Sequence, residues 1–313
     1  MKGLDLAREY YEAYGKAVLE EEFADVLPYL AVGLAGSGSE CYGYDDALSQ
    51  DHDFEPAFCI FLPDESIVDR RYAFRLERAY AKLPKEFMGL SRSPVSPVGG
   101  SRHGVIRMEE FFLEKTGSPD GALSLEAWLS VPEHGLLEAT NGAVFCDPYG
   151  RFSAIRERLS YFPEDVRRKK LGGSLLLMGQ AGQYNYSRCV ERGDTAAAQM
   201  AAFEFVKSVL HSIYLLNRSY MPYYKWVFRG LRELSVLSEL GGELEYLVSS
   251  GNAPEEAKGK EQRIERICAA VAEELRAQGI CALPYAEMEP MAYAVNDTVT
   301  DHDLRNMHIL SAV

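Results

Sequence analysis

Residues 33–54 read GLAGSGSECYGYDDALSQDHDF, and this stretch decides how the first part of the chain is read. It holds four glycines, three serines and four aspartates, and it follows the short apolar run YLAVGLAG. That order is a buried strand running into a glycine-serine turn. The apolar run FEPAFCIFLPD, residues 54–64, then predicts a second strand closed by a Pro-Asp turn.

Asp51 and Asp53 stand at i and i+2, which on a strand sends both carboxylates to one face. Two hard oxygen donors on one face suit magnesium, which takes carboxylates together with water and phosphate oxygens. His52 points the other way and reads as a packed residue. Gly36, Ser37, Gly38 and Ser39 offer backbone N–H groups and hydroxyls to a polyphosphate. The pattern is neither a Walker motif nor a dinucleotide fingerprint, for it lacks the lysine of the one and the spacing of the other.

Gly38-Ser39, eleven residues, then Asp-His-Asp resembles the signature of the polymerase-beta-type nucleotidyltransferase fold. More narrowly, GSGSECYGYDDALSQDHDF, YFPEDV and LLNRSYMPYYKW, in that order, resemble a bacterial nucleotidyltransferase-like family, the domain of unknown function 4037, over most of the chain. The resemblance implies that Ser39 or Ser37 contacts the triphosphate of a nucleoside triphosphate substrate and that Asp51 and Asp53 coordinate magnesium, as two ions. The implied reaction transfers a nucleoside monophosphate to a hydroxyl of an unidentified acceptor, a small molecule or a protein, and releases pyrophosphate. A third carboxylate comes from a later strand in that fold. With VIRME as the strand, Glu109 is the first choice and Glu110 the second; if the position falls on Ile106 or Arg107, the base is absent. The alternative function is then a catalytically inactive nucleotide-binding or partner-binding module on the same fold. Hydrolysis of a glycoside is ruled out by geometry, since two carboxylates on one strand face cannot flank a bond.

Around this stretch, helices are expected over 4–25, ended by Pro28, and over 66–82, with Ser66 as N-cap. GLSRSPVSPVGGSRHG reads as a loop and EEFFLEKTG as a short helix stopped by Gly117. From SLEAWLS onward the pattern is mostly helical, apart from a hairpin near 136–146 turning at Asn141-Gly142. Residues 194–217, alanine-rich and free of glycine and proline, give the strongest helix; others are expected over 258–277 and from DHDLR near 301. The fold class is α+β: a small nucleotidyltransferase-type mixed-sheet domain, 1–120, followed by a larger helical domain, 121–313.

In the helical part, Lys225 and Tyr223 are candidate nucleotide contacts, with Tyr224 as a further pocket residue; the competing reading is that NRSYMPYYKW packs a helix junction. Gln183, Asn185 and Arg188 are candidate acceptor contacts or polar helix contacts. Asp45 and Asp46 read as solvent-facing or structural, and Asp301 and Asp303 as an N-cap with an acidic first turn. Arg167, Arg168, Lys169 and Lys170 read as a solvated helix face.

A formal net charge of −14 disfavours tracking a long nucleic acid, which depends on Lys and Arg displacing counterions. The six cysteines, at 41, 59, 146, 189, 268 and 281, show no zinc spacing and fit a reducing compartment. No leader or membrane span is expected, so the expected place is the cytoplasm. Nothing points to a prosthetic group.

Overall fold

The computed structural model describes residues 1–49, 54–92 and 102–313. The described residues form two compact units, 1–123 with 131–160 and 124–130 with 161–313. This differs from the expected division at 120, because residues 131–160 return to the first unit.

The first unit opens with α1 (Gly3–Tyr10), which runs through a π-helical turn (Tyr11–Gly15) into α2 (Lys16–Glu22). Then come β1 (Ala31–Leu34), β2 (Cys59–Leu62), α3 (Arg70–Lys82), the small pair β3 (Glu86–Phe87) and β4 (Leu90–Ser91), β5 (Gly104–Arg107) and α4 (Met108–Thr116). After α5 (Leu125–Ser130), which belongs to the second unit, the chain adds α6 (Glu133–Thr140), β6 (Ala143–Cys146) and α7 (Arg151–Arg158). The main sheet has the order β5-β2-β1-β6, antiparallel throughout except for the parallel pair β2/β5.

Both faces of this sheet are covered, which is why β1 and β2 read as continuous apolar runs. Val32, Ile60 and Leu62 pack on Tyr10, Leu19, Phe23, Leu76 and Tyr80 from α1, α2, α3 and the turn after α2. Phe61, on the opposite face of β2, stacks on Phe152 of α7 at 4.1 Å and meets Phe111 of α4 edge-on at 5.1 Å. Alternation along one strand thus seeds two aromatic clusters.

Three local expectations are corrected. Ser66 does not cap α3: Asp64 Oδ1 accepts from its N–H in a turn, and Asp69 caps the helix by accepting from Arg71 N at 2.7 Å. The hairpin near 136–146 is instead a helix followed by a strand. Its first half, GLLEAT, has strong helix formers and completes α6, while AVFC pairs with β1 rather than with its own predecessor. Third, β5 stops at Arg107, and the chain turns directly into α4.

The second unit contains α5, α8 (Glu164–Met178) with its π-helical continuation (Gly179–Tyr186), α9 (Ser187–Glu191), α10 (Thr195–Leu216), α11 (Val227–Leu231), α12 (Gly241–Ser249), α13 (Pro254–Ala277), α14 (Met288–Asn296) and α15 (His302–Asn306). The helices expected at 194–217, 258–277 and 301 are all present. Asp194 caps α10 through Ala197 N, and Asp301 caps α15 through Leu304 N. No helix among the described residues is long and apolar enough to cross a membrane.

The basic run on α8 is not a solvated face. Arg167, Lys169 and Lys170 are buried, Lys169 completely. The Lys169 ammonium donates to Asn296 Oδ1 at 2.8 Å, Met307 O at 2.7 Å and Arg305 O at 3.2 Å, so it ties α14 and the end of α15 to α8. A buried cation is tolerated where each proton finds an oxygen. Burial holds the Lys169 amine below its ordinary value, and the same holds for Lys260, which donates to Gln199, Ser250 and Asn252.

Glu164 joins two of the sequence blocks. It accepts from Arg167 at 2.7 Å and Arg168 at 2.9 Å, and it reaches Arg218 of NRSYMPYYKW at 3.0 Å. The hydrogen bond from Arg167, with those from Arg168 and Arg218, lowers its carboxyl from 4.5 to about 2 against the opposing effect of burial. Because the folded value is depressed, the contribution is complete above the ordinary carboxylate range and is lost as pH falls through it toward about 2. The carboxylate is partly exposed, so water screens the pairs.

Two predictions follow from these contacts. The stability difference between the native protein and Glu164→Gln, measured by urea unfolding, should be largest above about pH 5 and shrink steadily below it. Gly33→Ala should destabilise by about 2 kcal/mol or more in the same measurement, because an added Cβ would run into the Ala143 carbonyl oxygen of the neighbouring strand.

Candidate functional site

A pocket of about 280 Å³ opens in the first unit at the end of β1. Leu34, Ala35, Gly36 and Ser37 form one side, Arg102, His103, Val105 and Ile106 another, and Glu110, Phe111, Glu114 and Lys115 of α4 a third, with Glu40 and Cys41 closing it. The glycine-serine turn therefore lines a cavity.

Its members do not contribute equally. Gly36 has φ +121°, a conformation open to glycine, and it delivers Ser37 exposed into the pocket. Gly38 packs against the Glu40 and Arg102 side chains, and its N–H is spent on Gly36 O at 3.2 Å. Ser39 is half-buried, and its carbonyl accepts from Tyr44 N at 2.8 Å. Of the two serines, Ser37 faces the cavity.

The turn is held from a distance of 105 residues. Asn141 Oδ1 accepts from Gly36 N at 2.9 Å, and Asn141 Nδ2 donates to Gly36 O at 2.9 Å. Gly142 N donates to Cys41 O at 2.9 Å. The dipeptide expected to turn a hairpin thus braces both ends of the glycine-serine turn.

Asp51 and Asp53, with His52 between them, lie outside the described residues, as does most of the loop around 91–102. Glu109 does not reach the pocket. As α4 begins at Met108, the alternation of the strand ends before it, and its Oε1 accepts from Arg151 Nη2 at 2.8 Å. Arg107 also turns away, donating to Pro63 O at 2.6 Å and Val68 O at 2.8 Å. Glu110, the second choice, lines the cavity and is exposed, one helical turn before Glu114.

The cations of the pocket come with carboxylates. Arg102 pairs with Glu40 at 3.2 Å, His103 approaches Glu55 at 3.2 Å, and Lys115 bridges Glu138 at 2.9 Å and Glu114 at 3.0 Å. Burial pushes the Lys115 amine down, but the hydrogen bonds with Glu138 and Glu114 prevail and leave it above its ordinary value. Three carboxylates and two permanent cations line the cavity, so the carboxylates are in excess.

Among the described residues, no group of three or more His, Cys, Asp or Glu stands together as a metal cage. The cavity lining offers the carboxylates of Glu40, Glu110 and Glu114 and the imidazole of His103. Burial drives the Cys41 thiol well above its usual range and Cys59 up to about 12.

In the second unit, Tyr223 and Tyr224 are exposed with rings 4.5 Å apart, and Lys225 lies 5.2 Å from the Trp226 ring. The preceding part of the same block packs a junction: Tyr220 meets Phe162 edge-on at 4.9 Å, and Arg218 covers Tyr161 at 5.0 Å. Gln183 ties α14 to the π-helical segment, accepting from Met288 N at 2.9 Å and donating to Ala286 O at 3.2 Å. Arg188 stacks on Tyr184 at 4.2 Å, and Asn185 is exposed. Asp45 is structural, accepting from Gly3 N at 2.9 Å at the start of α1; Asp46 is exposed and caps its own turn through Leu48 N and Ser49 N.

Sequence reading missed Asn141, Arg102, Glu114 and Lys115. The helix EEFFLEKTG carried the signal for the last two, because positions 110, 111, 114 and 115 share one helical face.

Residues 128–227 match the model of a domain of unknown function, DUF4037. The match contains Asn141, YFPEDV and LLNRSYMPYYKW, but it leaves out the glycine-serine turn and is shorter than the extent expected. No curated protein matches the chain.

The two buried thiols of the first unit give a direct check. At about pH 8, a thiol reagent should leave Cys41 and Cys59 unmodified in the folded protein and label them once urea unfolds it, as read by mass spectrometry of digests.

Proposed function

We propose that the pocket at the end of β1 binds the polyphosphate of a nucleoside triphosphate, and that the chain is a magnesium-dependent nucleotidyltransferase acting on the hydroxyl of a small molecule or protein. The observation that carries the reading is Ser37, exposed into the cavity directly after the positive-φ Gly36. A cavity of about 280 Å³ is at the small end of ligand sites and suits a phosphate chain rather than a whole nucleotide.

In this reading Asp51 and Asp53 would hold the magnesium, with Glu110 as the nearby carboxylate. The metal supplies charge neutralisation to a polyphosphate that the excess of carboxylates would otherwise repel. Ser37 and the backbone of the turn orient the phosphates. Glu110 stands on the exposed start of α4, where it can accept the proton of an acceptor hydroxyl. Glu109, committed to Arg151, has no part in it.

A second reading is favoured by one feature. No residue of β5 is a carboxylate: the strand consists of Gly104, Val105, Ile106 and Arg107. A nucleotide-binding or partner-binding module without turnover accounts for that directly.

Incubation with magnesium and each α-labelled nucleoside triphosphate, with cell extract as the source of acceptor, separates the two. Transfer of label should be lost in Asp51→Ala and Asp53→Ala, fall by about 100-fold or more in Glu110→Gln, and persist in Glu109→Gln. Transfer that survives both aspartate substitutions sinks the assigned site. Tight nucleotide binding with no transfer to any acceptor supports the module.

A further inference from the structure

We infer that Asn141 is a positioning residue for the phosphate site: its side-chain amide sets the Gly36-Ser37 turn in the conformation that presents Ser37 and the pocket backbone to a polyphosphate. The inference rests on the reading of the pocket as a phosphate site and adds a residue to it.

The amide makes two hydrogen bonds to one residue, accepting from Gly36 N and donating to Gly36 O, each at 2.9 Å. A side chain that reads both backbone groups of a glycine replaces the strand neighbour which that residue lacks, just past the end of β1. It fixes the orientation of the peptides on either side. Ser37 hangs from the second of these peptides.

Asn141 is itself held. Arg156 of α7, half-buried with its guanidinium 5.6 Å from the Phe152 ring, donates through Nη2 to Thr140 O and Asn141 O, both at 2.6 Å. These carbonyls end α6, where helical acceptors lack an intrahelical donor and a cation is favoured. Burial holds the Arg156 guanidinium below its ordinary value, a cost accepted to fix this helix end. Behind Asn141, Gly142 has φ +68°, and a side chain there would run into Leu34 O, the last carbonyl of β1. The chain from Arg156 through residues 140–142 to Gly36 thus runs from a half-buried cation to the rim of the pocket.

The alternative is that Asn141 only stabilises the fold. A matched control exists within the molecule. Asn217 makes the same two-way contact with a single residue in the second unit, donating to Val236 O and accepting from Val236 N, each at 2.9 Å. Asn217→Ala removes that pair, together with the bond Asn217 Nδ2 donates to Ile213 O at 2.9 Å, away from the glycine-serine turn.

The test is the affinity of the full chain for magnesium tripolyphosphate and for magnesium nucleoside triphosphate, by calorimetry, alongside thermal melting. Asn141→Ala should weaken both by about ten-fold or more, whereas Asn217→Ala, with a comparable loss of melting temperature, should stay within about two-fold of the native protein. Because Asn141 acts through the turn, Asn141→Ala and Ser37→Ala combined should weaken binding by less than the product of their separate effects. If Asn141→Ala does not fold, the isosteric Asn141→Asp carries the test at about pH 8, where its carboxylate can accept from Gly36 N but cannot donate to Gly36 O. Native-like affinity in the Asn141 variant, equal weakening by Asn217→Ala, or full additivity with Ser37→Ala overturns the positioning role and leaves the phosphate reading standing. A native protein that binds neither ligand overturns the phosphate reading, and the role of Asn141 falls with it.

Discussion

The close approach of β6 to β1 is the contact on which the pocket depends. Gly33 and Ala143 stand so near that a single added carbon would meet the neighbouring carbonyl. Only with β6 drawn in to this distance does Asn141, two residues before it, reach Gly36, and only then can Gly142 donate to Cys41. The fourth strand therefore does more than complete a sheet edge. It carries the brace for a turn that would otherwise extend past its strand with unpaired backbone groups on both sides.

Much of the first unit was legible because strands buried on both faces leave continuous apolar runs, and YLAVGLAG and CIFL are such runs. The end of α4 was equally plain, since Gly117 takes φ +75° at a C-terminal cap. The hairpin failed because a local signal was answered by a distant partner. Asn141-Gly142 has the composition of a hairpin turn, but its hydrogen-bonding groups are taken by Gly36 and Cys41 about a hundred residues away. Periodicity reports which face of an element is apolar, and it cannot report what a polar side chain finds across the fold.

The site itself was half legible. The turn was marked, but Ser39 was put before Ser37, and of the two Ser37 lines the cavity; the strand assigned to VIRME continued two residues too far, which put Glu109 before Glu110. One residue of overrun on a strand exchanges the faces, and a change from strand to helix removes the alternation altogether. The basic run on α8 failed for a different reason. Four successive cations suggest a wet surface, yet the ammonium of Lys169 finds three oxygens from α14, α15 and the residue after it. Charge alone does not tell whether protons are satisfied by water or by carbonyl groups.

The segment matched to the domain of unknown function gains meaning from these contacts. Residues 128–227 include Asn141 and Arg156, which brace the glycine-serine turn, and Glu164 and Arg218, which join the two blocks of the second unit. They do not include Ser37, Glu110, Asp51 or Asp53. Supporting groups of this kind must hold fixed geometry against distant backbone, so few residue types satisfy each position: an amide that both donates and accepts, or a guanidinium that spans two carbonyls. A reacting carboxylate, by contrast, needs only to be placed at the mouth of a cavity, from whichever element passes there. In the proposed reading α4 would offer Glu110 for that part, and β5 has no carboxylate. The braced turn and the helix-borne carboxylate are thus separable parts of the site, one constrained by what it must hold and the other by what it must reach.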